Sequence, residues 1–358
     1  MARYITIRII WIFIMLFAIL SVNFILFKLA PAYPPADEDS KTAYFNKQVS
    51  DGYMEIALVT DESEMEEIRH QMATATTIKN SYYEDKGDLI RAYIPVPLST
   101  QYFNWISNLI FKFDFGLSTR VEVGRPVFSI IGDRMVTTLT INIIALFFYA
   151  PIGLALGIWA ALKKNKLEDN IISFLVMVMI SIPSFVVMIC LVLIFGYGLE
   201  WVPSIFPPKD ADLALRIRGY ILPVLAMTFG PIASLTRTTR AELTEVLTSE
   251  YLLLARTKGL TRKQAVIRHA FRNSLVPLVP GIIYSFAGIL SGSVVIEMIY
   301  SVPGTGTIFL RALTKNAYDY NLLLASTAFY TCVGLFAVLI VDLTYGLIDP
   351  RIRMGGVR

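Results

Sequence analysis

Six stretches of this chain are apolar, and most are long enough to cross a lipid bilayer as a helix. They occupy residues 9–27, 138–162, 171–195, 220–235, 278–299 and 322–347. A helix needs ~20 mostly apolar residues to span the hydrocarbon. The fourth stretch is short and interrupted by Pro223, Gly230 and Pro231, which a bundle interior tolerates. With 55% hydrophobic and only 17% charged residues, the composition suits a multi-span membrane protein and excludes an ordinary soluble domain.

The first stretch has features of a signal peptide: Arg3 and Arg8 precede it, and Ala-Pro-Ala follows at 30–32. Its apolar core exceeds the ~7–15 residues of a signal sequence, so an uncleaved span is expected. Cys190 and Cys332 both lie inside apolar runs, where packing is expected rather than a disulfide or a metal site. His70 and His269 are the only histidines, which argues against a transition-metal cage. The chain contains no GxxxxGK[ST] phosphate loop. A net charge of +4 names no partner, and nucleic acid is not expected.

Charge distribution sets the orientation. Arg3 and Arg8 precede the first run, and Lys163, Lys164 and Lys166 follow the second. Eight basic residues between Arg237 and Arg272 follow the fourth, and Arg351, Arg353 and Arg358 follow the sixth. Six crossings place all four groups on one side, which the positive-inside rule makes the cytoplasm. Both termini are then cytoplasmic. The expected division is 1–30 for the N-terminal segment and first helix, 31–134 for an extracellular domain, and 135–358 for the transmembrane core with a cytoplasmic loop at 237–276. The extracellular domain contains "QYFNWISNLIFKF", whose Tyr102, Phe103, Ile106, Leu109, Ile110 and Phe113 share one helical face. That face either packs on the bundle mouth or docks an extracellular partner.

The cytoplasmic loop carries unusually explicit local signals in "EYLLLARTKGLTRKQAVIRHAFRNSLVP", which begins at Glu250. Thr248 or Ser249 is expected to cap a helix whose first turn holds Glu250. Gly259 suits the left-handed residue that stops it. Thr261 to Gln264 has the form of a capping box and restarts a helix at once, and Pro277 is expected near the first turn of the fifth span. Ala255 and Gly259 are small and four apart, a spacing that admits close approach of another surface. The order helix, stop, helix describes a stiff bracket suited to docking a cytoplasmic protein. The alternative is a basic loop lying on anionic membrane lipid. Inside the runs Asn142, Glu297 and Asp342 stand out as costly polar residues, expected to face protein or a water-filled path. No catalytic constellation is present, so an enzyme is not expected.

These residues resemble the oligopeptide/dipeptide family of ABC importer permeases. "ARTKGL…RHAFRNSLVPLVPG" is similar to its signature loop, and "FDFGLST", "RPVFSIIGDRMVTTLTINI", "SIPSFVVMICLVLIFG", "LSGSVVIEMIYSVPGTG" and "VDLTYGLIDPRIR" follow the family in order. The closer likeness is to the first, or B-type, of the two permease subunits. The resemblance implies an all-α membrane protein with six transmembrane helices of the type I ABC importer permease fold and an extracellular insert between helices 1 and 2. It implies a multi-pass plasma-membrane subunit that imports oligopeptides with a second homologous permease, two ABC ATPase subunits and an extracellular peptide-binding protein. ATP and Mg would be bound by the ATPase subunits, with no cofactor in this chain. Carried over, the docking element comprises Glu250, Ala255, Arg256, Lys258, Gly259 and Leu260, braced by His269, Arg272 and Asn273. Asn142, Glu297 and Asp342 are the expected path or gate residues. Two departures stand out. Leu253 and Leu254 occupy positions where the wider pattern has a polar and then a small residue, and the extracellular segment is expanded. Nickel chelate or glutathione uptake, or a non-transporting scaffold or sensor, are the competing readings.

Overall fold

The computed structural model describes residues 2–29, 38–74, 81–290, 294–314 and 318–348. The chain divides into two compact units. The core unit holds Met1–Leu16, Gly132–Ile308 and Phe329–Arg358, and the insert unit holds Phe17–Ile131 and Phe309–Ala328.

Among the described residues, four helical stretches are long and apolar enough to cross a membrane: Ile5–Leu29, Val127–Leu162, Leu213–Leu247 and Tyr320–Thr344. They belong to helices α1 (Ala2–Leu29), α5 (Val127–Leu162), α8 with α9 (Leu213–Gly219 and Ile221–Leu247) and α15 (Tyr320–Ile348). The expected third span is not straight. It consists of α6 (Leu167–Ser181) and a second limb begun by α7 (Ser184–Leu191), bent by 93°. Pro183 is the cause: the residue before a proline is driven out of the helical region, and Ile182 is extended at φ −90°, ψ 119°. The expected fifth span takes in α12 (Arg272–Leu290) and α13 (Val294–Ile299), and residues 291–293 between them lie outside the described residues. Among the described residues its apolar part is Asn273–Phe286, shorter than a full crossing.

Large apolar side chains on these helices face outward. Trp11, Phe13, Phe147, Phe174 and Met177 are all exposed. Such a surface is unsuited to water and suited to acyl chains. Cys190 is also exposed, so the expected packing role does not hold for it, whereas Cys332 is half-buried.

The core unit is organised around α9. Its apolar cluster unites Tyr149, Met188, Leu222, Leu235 and Leu278 from four helices with Tyr300, just past α13. Gly153 and Gly157 of α5 face α9, where a Cβ at 157 would lie 2.8 Å from the Thr236 carbonyl oxygen. Small residues four apart let two membrane helices approach at backbone distance, and Thr236 Oγ1 donates to the Gly153 carbonyl at 3.3 Å. On another side of α9, Arg240 grips Asp169 of α6 with two nitrogens, the second at 2.8 Å. Asp169 is buried and also accepts from the Asn165 N–H at 2.8 Å.

In the insert unit the helical expectation gives way to a three-stranded antiparallel sheet of order β1-β3-β2. Its strands are β1 (Met54–Val59), β2 (Tyr82–Asp85) and β3 (Ile90–Pro95), with Met54 opposite Pro95 and Tyr82 opposite Tyr93. Alternation along β3 sends Tyr93 to one face, near Phe45 of α2 (Glu38–Ser50), and Ile90 to the other, against Met65 and Ile68 of α3 (Glu62–Thr74). Arg69 and the Gly87 N–H hold the Asp85 carboxyl down at about 2. The expected aromatic face is rearranged. Helix α4 (Leu98–Ser107) buries Gln101 and Trp105 and passes into a π-helical turn at Asn108–Lys112, leaving Phe103, Ile110 and Phe113 exposed. Extra residues per turn rotate the later side chains off the face that a 3.6-residue period assigns.

Asp319, just ahead of α15, is fully buried. Its carboxylate accepts from Ser118 Oγ at 2.5 Å and from the N–H groups of Thr119, Arg120 and Val121 at 3.0, 3.0 and 3.2 Å. Successive N–H groups around an anion form a nest. Gly116, at φ +84°, lets Asn321 lie against it and donate to the Leu117 carbonyl. The segment "FDFGLST" is thus a clasp on the start of the last helix.

Two outcomes are expected. Gly157→Leu overpacks the α5–α9 contact and costs on the order of 1–3 kcal/mol, read as a lower unfolding temperature in detergent. Asp319→Asn removes the charge from its nest, at about 1.5–3 kcal/mol per charged hydrogen bond lost, and should raise hydrogen exchange at 118–121. Unchanged protection there would refute the clasp.

Candidate functional site: the helix–glycine–helix loop and the cavity beside it

The loop follows α9 directly. Helix α10 (Glu250–Thr257) starts at Ser249, which has extended N-cap geometry but no side-chain cap bond. The Thr248 and Ser249 hydroxyls turn back instead, donating to the Glu245 carbonyl at 2.9 Å and the Val246 carbonyl at 2.5 Å. They close the end of α9 rather than open α10, correcting the expected cap. Carbonyls at a helix C-terminus lack partners, and a hydroxyl one turn on is well placed to supply one.

The stop is as the sequence predicts. Gly259 has φ +93°. Its N–H bonds the Arg256 carbonyl at 3.0 Å, and the Leu260 N–H bonds the Ala255 carbonyl at 3.4 Å. This pair of bonds is the Schellman arrangement. The capping box is also formed: Thr261 N–H donates to Gln264 Oε1 at 3.1 Å, and Gln264 N–H to Thr261 Oγ1 at 3.3 Å. Helix α11 (Arg262–Ala265) continues through a π-helical segment, Val266–Phe271, into α12. Pro277 therefore lies inside α12, not at its start. A buried cluster of Ala161, Leu243, Leu252, Ala265 and Ala270, with Leu260 against it, fastens the bracket to the ends of α5 and α9.

This packing decides which loop residues face outward. Ala255 is buried, so it is not the small surface residue that the spacing suggests. Glu250, Arg256, Lys258 and Gly259 are exposed, and a Cβ at Gly259 would meet nothing within 4 Å. Tyr251, Leu253 and Leu254 are exposed as well, the two leucines by 62% and 56%. The outward face of α10 is therefore apolar with basic neighbours, and sequence reasoning saw these leucines only as a departure. His269 and Asn273 are exposed one turn apart. The side chain of Arg272 lies outside the described residues.

Beside the loop-proximal half of α9 an open cavity of about 500 Å³ is lined by Ser184, Gly230, Ser234, Arg237 and Thr238, with apolar walls from α6 and Phe229. It lies at the bend around Pro183. None of the three polar residues singled out from the sequence lines it. Asn142 is wholly buried in α5. Asp342 pairs with Arg8 at 3.2 Å. Glu297 is buried, accepting from the Thr307 N–H at 2.9 Å and Thr138 Oγ1 at 3.4 Å. Thr138 Oγ1 in turn accepts from the Thr305 N–H at 3.0 Å, and Tyr330 donates to the Thr305 carbonyl at 2.6 Å. At Gly304 a Cβ would collide with the Glu297 carboxylate. "SVPGTG" thus wraps its backbone around one carboxylate, and its glycines permit the approach.

A family model described as binding-protein-dependent transport system inner membrane component matches residues 153–354, which include the loop, the cavity and Glu297. The dipeptide transport system permease protein DppB of Lactococcus lactis subsp. cremoris is 36% identical over 258 residues, covering 72% of this chain and 82% of that protein. The oligopeptide transport system permease protein OppB of Escherichia coli K12 is 35% identical over 257 residues, covering 72% and 81%. The chain belongs to this family of transport permeases. It is a multi-pass membrane protein and a transport subunit rather than an enzyme. The MetNI methionine ABC transporter, in inward-facing form, matches 62% of this chain and 97% of its own with a TM-score of 0.50 and 16% sequence identity. The shared architecture is the type I ABC importer permease fold.

In this permease Gly304→Ala should lower the unfolding temperature by the equivalent of about 1–3 kcal/mol, the usual cost of overpacking. Gly334→Ala, which meets open space, is the control. Equal effects of the two would show that the wrapped carboxylate does not constrain its loop.

Proposed function

We propose that this chain is the first of two permease subunits of an ATP-driven peptide importer and that its bracket seats an ATPase subunit. The observation that carries this reading is the Schellman stop at Gly259 followed at once by the capping box at Thr261. Together they fix α10 as a rigid projection with an outward face of Tyr251, Leu253, Leu254 and Lys258. A loop that only joined two spans would need no such order. The names of its relatives, as permeases of dipeptide and oligopeptide transport systems, support peptides as substrate. On this reading the partners are a second homologous permease, two ATPase subunits that bind ATP and Mg, and an extracellular peptide-binding protein. The basic residues around the loop favour a cytoplasmic placement, with both termini on that side. The cavity beside α9 is assigned to the translocation path, its polar groups being Ser184, Ser234, Arg237 and Thr238. Asn142, Glu297 and Asp342 serve instead to hold helices and loops that frame the path.

Gly259→Trp tests the bracket. A non-glycine residue in this conformation costs about 1–2 kcal/mol, and the indole would fill the open space that a partner needs. Membrane level should stay normal while co-purification of ATPase subunits and peptide uptake both fall by about tenfold, a loss worth roughly 1.4 kcal/mol. Full uptake with the ATPase subunits bound would refute the assignment. Ser234→Trp tests the path: uptake should be lost while ATPase binding persists. Unimpaired uptake in that variant would move the path elsewhere.

A further inference from the structure

At the loop-side ends of α5 and α9 a second, larger open groove of about 1080 Å³ separates the spans from the helix that follows the capping box. Its chemistry is divided. Lys163, Lys164 and Lys166 on the turn between α5 and α6, together with Lys263 of α11, form a cationic rim. Glu168 neutralises Lys163 at 3.1 Å, while Lys164, Lys166 and Lys263 are exposed. The floor is apolar, with Leu162, Leu247 and Phe271 as its main surfaces. Ile267, at its edge, is 58% exposed. A soluble anion would satisfy the lysines and leave the floor wet. A neutral hydrocarbon would cover the floor and leave the cations unmatched. The groove also opens where the apolar run of α5 ends at Leu162, the level at which lipid phosphates lie.

We propose that this groove holds one anionic phospholipid as a bound component of the permease. Its phosphate sits among Lys164, Lys166 and Lys263, and an acyl chain lies along Leu162, Leu247 and Phe271. Charge complementarity selects an acidic headgroup over a zwitterionic one, and the apolar floor distinguishes a seated lipid from a diffuse ion cloud. The lipid would wedge the bracket against the spans. The inference does not depend on what the permease transports.

The test is native mass spectrometry of the full chain released from nanodiscs containing equal parts phosphatidylglycerol and phosphatidylcholine. The unmodified chain should retain phosphatidylglycerol over phosphatidylcholine by about tenfold or more. Combined Lys164→Glu, Lys166→Glu and Lys263→Glu substitutions should abolish that preference, and arginine at the same positions should preserve it. Leu247→Trp, which fills the floor and leaves the lysines intact, should also release the lipid. Equal retention of both lipids, or retention of phosphatidylglycerol by the glutamate variant, would overturn the proposal. So would an unaffected Leu247→Trp variant, which would reduce the effect to surface attraction. Loss of a co-purifying protein from the glutamate variant, with lipid retention unchanged, would instead mark the rim as a protein-docking surface.

Discussion

The core unit depends on the close approach of α5 to α9. In a bilayer, apolar area gives helices no reason to prefer each other over lipid, so association rests on fit and on buried polar contacts. Gly153 and Gly157 supply the fit, bringing backbone against Thr236 and Thr239. Arg240 and Asp169 supply the polar contact one turn further along α9. Removing Arg240 would leave the buried Asp169 carboxylate without its charged partner. The helix that carries both contacts also carries the cavity wall and ends at the bracket. Its position therefore sets the others.

How much of this was legible in the sequence follows from the range of the interactions. The stop at Gly259 and the box from Thr261 to Gln264 lie within a few residues of their partners, and the structure has both as the sequence predicts. The cap expected at Thr248 or Ser249 was read in the right place with the wrong direction, because a hydroxyl between two helices serves the end of one or the start of the other. Ala255 departs from expectation for a different reason. Its size was visible, but whether a small residue faces a neighbour or the outside depends on Leu252 and on helices distant in sequence. Asp169 carries no local signal of its role, since its partner Arg240 lies 71 residues away.

The insert unit shows the same limit more strongly. Its sheet pairs β1 with β3 across an intervening helix and strand, and the amphipathic signal of "QYFNWISNLIFKF" was weighed on an unbroken 3.6-residue period. The π-helical turn at Asn108–Lys112 breaks that period. The clasp on Asp319 joins residues about 200 positions apart in the chain. The motif "FDFGLST" carried no visible chemistry until its N–H groups were seen around that carboxylate. Glu297 belongs with it: each buried acid organises a loop by accepting backbone hydrogen bonds, and neither lines the open cavity.

The bracket and the cavity share α9, and this bears on how a push at one would reach the other. Ser234, Arg237, Thr238 and Ala241 line the cavity, and the helix then runs unbroken to Leu247. Beyond it, the Thr248 and Ser249 hydroxyls bind the last turn, and Leu252 packs against Leu243 in the loop-side cluster. Thr248 and Ser249 are the two residues between α9 and α10. On the far side the bent pair α6–α7 meets α9 through Arg240 and Asp169, close to the loop, while its bend at Pro183 borders the cavity. A displacement of α10 would thus be delivered to α9 and α6 together, and the cavity would change shape at the bend, where Ile182 already lies outside the helical region. Under the proposed coupling, stiffness in the loop and a preformed break in α6–α7 are complementary requirements. The first carries the movement, and the second gives it somewhere to act.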